Sequence, residues 1–369
     1  MRVLHVTESR SWSGGTVQLW NLCVGLMKRG HNAALFCPPE SELLRHVPGS
    51  GVQSTVCRLR EDYDLVAAWK LAQAIRLFKA DIVHAHHPRA HAIALLAGIF
   101  ASIPRLVVSR RVSFRLKKWN IFSQWKYRSG NIRTFVAVSE DIRRILIQGG
   151  VPPEKVTVIH SGVDVRRFSP RPAAETIQRE LRLPIGKPLV GNLTHFSWWK
   201  GQTFFLDAAK ILLDAGVFAH FLLVGKDTDG AEAQEKVRAL GISDHVTLAG
   251  FRTDIPEVLS LLNVSVLSSL AGEGFSGVLR EAMCMGVPVV ATDVGGNSEL
   301  VKDSKTGRLV PPRDAAALAE AIRHLLADRS KAQEMARAAK ENVTTHYSID
   351  TMVEKTIALY ERMLASHCP

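Results

Sequence analysis

Apolar residues in this chain come in short runs bounded by glycine, proline and small polar residues. Between these runs lie longer stretches whose apolar positions recur at helical spacing. The first half opens with VLHV (3 to 6), a glycine pair, and TVQLWNLCVGLMKRG closed by Gly30. NAALFC (32 to 37) reads as a second strand, so the opening is predicted to be a β-α-β unit. The alternation continues with a helix over 66 to 79, strand DIVHAH and a helix over 90 to 101. Strands RLVVS and TFVAVS, a helix over 140 to 148 and strand KVTVI before the turn HSGVD complete it. Strands this apolar, alternating with helices, belong to a parallel sheet covered on both faces.

Residues 165 to 188 hold four prolines and read as a linker with a short helix. A second alternating series follows, with strands LVGNLT, HFLLVG, VTLAGF, VSVLSS and PVVAT, and RLV at an edge. The chain then turns helical over 314 to 327, 329 to 344 and 349 to 364. The last helix lines up Ile349, Met352, Val353, Leu359, Tyr360 and Met363 on one face. At 369 residues, two domains are expected, 1–170 and 171–348, with helix 349–364 packing back on the first. Two doubly wound α/β sheets in tandem would turn their strand C-termini toward a shared cleft. A dinucleotide-binding dehydrogenase is excluded, because neither half carries GxGxxG after its first strand; the first offers only Ser13, Gly14 and Gly15.

Composition adds little beyond a soluble globular class, with 46% hydrophobic and 22% charged residues. The longest apolar run, 92 to 104, is too short to span a bilayer, and MRVLHVTES lacks the apolar centre of a signal peptide. Five cysteines with no CxxC spacing suit reduced thiols in a cytoplasmic protein, with no metal or disulfide framework. Charge says more. Residues 1 to 170 carry 25 Lys and Arg against 11 Asp and Glu, whereas the remainder is nearly balanced. No acid occurs from 82 to 139. An anionic partner is expected for the first half alone.

The densest chemistry lies in EGFSGVLREAMCMGVPVVATDVGGNSELV (273 to 301). Strand VSVLSS, loop LAGEGF and a helix over 276 to 285 place Glu273 just before the helix and Glu281 one turn inside it. The helix N-terminus between them exposes backbone N–H groups and the positive end of the dipole, a natural phosphate site. Glu281 could accept vicinal hydroxyls of a ribose, and Glu273 those of a sugar beyond the phosphates. Acids near a helix start also favour the dipole without any ligand.

That stretch resembles the Glu-x7-Glu signature of retaining glycosyltransferases of family four, the group 1 glycosyl transferases of the GT-B fold. The resemblance extends through SGGT (13 to 16), DIVHAHH (81 to 87), VAVSEDI (136 to 142), VTVIHSGVD (156 to 164), WWKGQ (198 to 202), LLVG (222 to 225) and VTLAGFRTDIPEVL (246 to 259). It implies transfer of a sugar from a nucleotide donor with retention at C1, without a metal or other cofactor. The implied donor site comprises Gly14, Gly15, His195, Lys200, Gly225, Arg252, Phe275, Ser276, Gly277, Val278 and Glu281. The implied catalytic residues are His86, near the transferred sugar, Lys200 and Glu273. The family's phosphate-gripping arginine is replaced here by His195, which is a cation only when protonated.

Three other features need a reading. His84 and His86 share one strand face and His87 points the other way; a zinc site is conceivable, but no acid or cysteine joins them. Asp227-Thr228-Asp229 imitates a metal-binding DxD, but reads as exposed acids in a turn. The stretch 110 to 133 carries eight Lys and Arg, no acid, and Phe114, Trp119, Phe122, Trp125 and Tyr127. It suits an interfacial segment on anionic lipid, a base-stacking surface, or a helix whose aromatics fill the core, and Arg110 and Arg111 could line an acceptor pocket. The combined expectation is a nucleotide-sugar donor and an anionic, lipid-linked saccharide acceptor of envelope glycan synthesis, with peripheral membrane contact and no nucleic-acid partner. The alternatives are a nucleotide-sugar epimerase and a nucleic-acid-binding protein.

Overall fold

The computed structural model describes residues 1–114, 116, 121–172 and 174–365, with the backbone alone at 121–123. The chain forms two compact units, Met1–Gly162 with Ile349–Pro369, and Val163–Ser348. The first contains β1 (Arg2–Val6), β2 (Asn32–Cys37), β3 (Gln53–Val56), β4 (Ile82–Ala85), β5 (Leu106–Arg110), β6 (Ile132–Ala137) and β7 (Val156–Val158). These pair in parallel in the order β3-β2-β1-β4-β5-β6-β7. The second contains β8 (Leu189–Asn192), β9 (His220–Leu223), β10 (Val246–Leu248), β11 (Val264–Leu267), β12 (Val289–Thr292) and β13 (Arg308–Val310), ordered β10-β9-β8-β11-β12-β13. Each order reverses once, at β1/β4 and at β8/β11. The crevice outside the strand C-termini at such a point is where doubly wound sheets bind ligands.

Helix starts follow local chemistry. Ser139 Oγ accepts from Ile142 N at 3.2 Å and Asp64 Oδ1 from Ala67 N at 2.9 Å, each satisfying an N–H that the helix leaves unpaired. Strand β3 is absent from the sequence pattern because all four of its residues are exposed, so it shows no apolar alternation at this sheet edge. The domain boundary differs from position 170. Val163 N donates to Tyr347 O at 2.8 Å and pairs with Ser348 as an isolated bridge, while Phe168 is buried. Arg167 and Arg171 then hold Thr253 and Glu257, so residues 163 to 170 belong to the second unit.

The final helix, Ile349–Ala365, lies in the first unit against the helix Gly14–Lys28. Met352, Val353, Ile357, Leu359, Tyr360 and Met363 join Leu19, Leu22 and Leu26 in one core. Tyr360 is fully buried, and its hydroxyl meets His84 Nδ1 at 2.5 Å. The helices come close at Gly25, where an added Cβ would lie 2.5 Å from Val353 Cγ2. Val353 is β-branched and cannot easily turn aside. Gly25→Ala should therefore destabilise the protein by about 1–3 kcal/mol through overpacking. Urea denaturation should show Val353→Ala restoring much of that loss in the double variant. Two independent, additive losses would show that the helices do not meet there.

Candidate functional site

In the second unit the switch point is strapped by side chains from both strand ends. Asn192 Nδ2 donates to Ser268 Oγ at 3.0 Å, and Ser268 Oγ donates to Lys200 O at 3.1 Å. Gln202 reaches back from its helix to Thr194 Oγ1 at 2.7 Å and to His195 O at 2.6 Å. Gly201 has φ +67°, and a Cβ there would collide with Ser268 O, so only glycine permits this backbone contact. Gly225, at φ +143°, likewise leaves no room, because a Cβ there would run into Thr194 O.

This scaffold delivers Lys200 to Glu273. Lys200 Nζ stands 2.6 Å from Glu273 Oε1, and Ser269 Oγ donates to the same oxygen at 2.5 Å. Both side chains are nearly buried, at 11% and 6% exposure. The ammonium also lies 4.3 Å from the Trp199 ring centroid. His195 packs edge-on against Trp199 with centroids 5.4 Å apart. Burial, and then the charge of Lys200, lowers the His195 pKa, so at neutral pH the ring is a neutral donor rather than a second cation.

The helix Gly277–Met285 starts beside this pair. Ser276 is its N-cap, its side chain accepting from Leu279 N, and Gly277 and Val278 are only part-buried at the exposed first turn. Phe275 is clamped between Tyr347, 5.0 Å away, and the Arg280 guanidinium, 5.4 Å away. Among the described residues, no group donates a hydrogen bond to Glu281. Burial pushes its carboxyl up to about 7, against the opposing pull of Arg280 and Arg167. Arg252 stands apart from this gathering: its donors are taken by Asp254, at 2.8 and 2.6 Å, and Glu180, at 2.8 and 3.3 Å. In this structure its guanidinium is paired within the second unit. Asp227 occupies a left-handed turn position at φ +63°, and Thr228 bonds Gly225 O within the same turn.

In the first unit, Ser13 caps the helix that begins with Gly14 and Gly15, and a Cβ on Gly14 would meet nothing within 4 Å. The histidines of DIVHAHH are joined by one that no motif in the sequence marks, His5 on β1. His5 Nδ1 and His86 Nε2 are 2.9 Å apart, and the rings of His84 and His86 lie tilted with centroids 4.0 Å apart. Ligating atoms of His5, His84 and His86 lie within 4.8 Å of one another. Five of their six ring nitrogens meet each other, Tyr360, Ser109 Oγ or Arg111, and His5 Nε2 is buried without a partner among the described residues. His86 is 2% exposed, and its Nδ1 faces Arg111 Nη2 at 3.3 Å. Both of its ring nitrogens are engaged in this structure, with His5 and Arg111. Ser269, Gln202 and Ser268 are also missing from the sequence-based set, although Gln202 lies inside WWKGQ.

Lys200→Ala would strand Glu273 as a buried carboxylate. A loss of about 3 kcal/mol is expected, the low end for a broken buried pair because Ser269 still donates. The double variant with Glu273→Ala should recover part of it in chemical denaturation; strict additivity would show that the pair is not coupled.

Residues 188–328 match the family described as "Glycosyl transferases group 1", and residues 12–167 match "Glycosyltransferase Family 4". The chain is 29% identical over 215 residues to the lipopolysaccharide core biosynthesis mannosyltransferase LpsB of Rhizobium meliloti, covering 56% of this chain and 61% of that protein. It is 30% identical over 312 residues to the 2-deoxystreptamine N-acetyl-D-glucosaminyltransferase of Streptomyces fradiae, covering 77% and 72%. Matches to LpsB and two further curated relatives span only 55 to 61% of those proteins' own length. In fold, it superposes on Anabaena HepE in complex with UDP and glucose with a TM-score of 0.85, at 23% identity over 98% of this chain and all of that one. With both sheets and this likeness, the fold is GT-B, and the chain belongs to the family-four, group 1 glycosyltransferases.

Proposed function

We propose that this protein is a retaining, metal-independent glycosyltransferase that moves a sugar from a nucleoside-diphosphate sugar to a hydroxyl of an anionic, lipid-linked saccharide in the cytoplasm. The observation that carries this reading is the grouping of Lys200, Glu273 and the unpartnered Glu281 around one helix N-terminus at the β8/β11 switch point. Lys200 and the helix N–H groups would stabilise charge on the leaving diphosphate. Glu281 would hold the ribose hydroxyls, and Glu273, tethered by Lys200 and Ser269, the transferred sugar. In the step we infer, the bond from C1 to the diphosphate oxygen breaks as the acceptor oxygen attacks the same face. The acceptor's proton passes to the departing phosphate. Positioning and phosphate stabilisation would supply most of the acceleration. HepE, seen with UDP and glucose, supports a nucleotide-sugar donor, and LpsB supports a lipopolysaccharide acceptor; the excess positive charge of residues 1 to 170 supports an anionic one. Neither an epimerase nor a nucleic-acid-binding protein gains support from these relatives.

Membrane contact is part of the proposal in altered form. Among the described residues, no helix is long and apolar enough to cross a membrane. Lys117, Lys118 and Trp119 lie outside the described residues, as does the Phe122 side chain. Lys126 is not available to lipid: it is buried, 3.3 Å from Asp62 and 3.0 Å from Pro88 O. Tyr127 is core, stacked on Phe135. Exposed apolar residues remain at Val112, Phe114 and Trp125, with Tyr63, Leu65, Val66 and Trp69 in and before the helix Leu65–Phe78. Asp62, bridging to Lys126, ties these two segments together.

Two tests follow. Thermal stabilisation by UDP-, GDP- and ADP-sugars should single out one base. Because folded Glu281 keeps a proton that the unfolded chain releases, its burial costs stability progressively as pH rises from about 4.5 to about 7. Only its ionised form accepts two hydroxyls, so nucleotide affinity should rise from pH 6 to 8. Glu281→Gln should flatten that rise, and Glu281→Ala should weaken binding by about 1–3 kcal/mol. A rise that persists in both variants removes Glu281 from the ribose. For the membrane, Trp125→Ser with Phe114→Ser should release the protein from sedimenting anionic liposomes at low salt while nucleotide stabilisation persists. A wild-type protein that ignores such liposomes sinks that part of the proposal.

A further inference from the structure

Arg111 follows β5 at the C-terminal edge of the first sheet and is part-buried without a counter-ion. Among the described residues, no carboxylate pairs with it. Its Nη1 reaches only Ser161 Oγ, at 3.5 Å, and its Nε is buried without a partner. Burial lowers its pKa to about 10, which still leaves it charged at neutral pH. The histidines near it are held neutral, by burial first and then in part by Arg111 itself. Glu8 raises the pKa of His87, but its carboxylate is already accepting from Arg89 N and Ala90 N.

The hydrogen-bond directions explain what holds this charge in place. A guanidinium only donates, so His86 Nδ1 must accept from Arg111. Neutral His86 then carries its proton on Nε2 and donates it to His5 Nδ1 at 2.9 Å. His5 in turn carries its proton on Nε2, which is buried and unpartnered. One geometry fixes two tautomers and leaves one N–H unsatisfied, a cost typical of sites that hold a group in place. The Arg111 side chain runs past Gly15: a Cβ there would stand 3.5 Å from Arg111 Cδ and 3.7 Å from His87 Nε2. His87 Nδ1 is tied to Thr7 Oγ1 at 2.7 Å, which leaves Nε2 to face the same spot.

We propose that Arg111, aimed by His86 and flanked by His87, is the receptor for an oxyanion on the acceptor saccharide, a phosphate or a carboxylate. His86 is then a positioning residue. The proposal rests on the reading of the first unit as the acceptor side. A part-buried cation without a counter-ion costs free energy until an anion meets it, and on the proposed reading the donor diphosphate has its own cation in Lys200.

The test titrates the full chain, saturated with UDP, with inorganic phosphate, glucuronate and, as a neutral control, methyl glucoside. One of the two anions should bind and the glucoside should not; which anion binds identifies the oxyanion. Arg111→Gln should weaken that binding roughly 10- to 100-fold, the scale of a charge-assisted bond, while the UDP-induced thermal shift persists. Histidine ¹⁵N spectra should show His86 protonated on Nε2, with its Nδ1 signal moving on anion addition in the wild type but not in Arg111→Gln. Anion binding lost with Lys200→Gln and kept with Arg111→Gln overturns the proposal, as does binding of neither anion. Loss of UDP affinity in Arg111→Gln assigns Arg111 to the donor and overturns it too. A protein that fails to bind UDP, yet binds the anion through Arg111, defeats the donor reading and leaves this one standing.

Discussion

In a parallel sheet every strand ends at the same edge, so side chains that must act together have to come from neighbouring strand ends. Where strand order reverses, the two loops part, and nothing in the sheet itself keeps their tips in register. The second unit meets this constraint with short polar residues just past the strands. Asn192, Thr194 and Gln202 tie one loop, Ser268 and Ser269 the other, and the Ser268 hydroxyl joins the two through Lys200 O. Gly201 lets the backbones approach to a distance that no side chain would allow. The Lys200–Glu273 pair, 2.6 Å apart, sits at the loop ends that these contacts tie.

The same constraint decides what the sequence could disclose. Periodicity locates a buried strand or an amphipathic helix because burial leaves its mark on the residues themselves, as it does for NAALFC and for the helix ending at Gln148. Strand β3 has no buried face and left no mark. Glu273 and Glu281 could be singled out because two acids around a glycine-rich helix start are chemically unusual, whereas Lys200, 73 residues from Glu273, was marked only by the family resemblance. The serines that hold them were not, since a serine after a strand looks like any turn residue. Arg252 shows the converse. Its motif placed it with the donor, but two acids 72 residues away and two residues away in sequence claim its guanidinium.

The histidine cluster was hidden for a related reason. Three of its neighbours stand in one segment, but His5 lies 81 residues before His86 and reaches it only because β1 and β4 are adjacent, with His5 opposite His84 in the register. Tyr360 is farther still, 276 residues from His84, and is brought there by a helix that leaves the second unit's chain segment and folds with the first. Long-range pairings of this kind follow from topology, which residue patterning alone does not give.

Charge is handled differently in the two units, and that difference bears on function. In the second unit, Lys200 is matched by Glu273 at the candidate site, and Arg252, apart from it, by Glu180 and Asp254. A nucleotide diphosphate approaching there would compete with Glu273 for Lys200, so donor affinity would include the cost of loosening a nearly buried pair, and Glu273 would be released toward the sugar as the phosphates take its place. At the C-terminal edge of the first sheet, Arg111 has no such partner among the described residues, and burial holds the histidines around it neutral. An anion meeting Arg111 would have no carboxylate to displace, only the neutral contacts to His86 and Ser161. On the proposed reading, one site would trade an internal ion pair for its ligand, whereas the other would hold a charge that only its anion matches. That asymmetry is what a transferase needs if it is to release a charged leaving group readily while keeping hold of its acceptor.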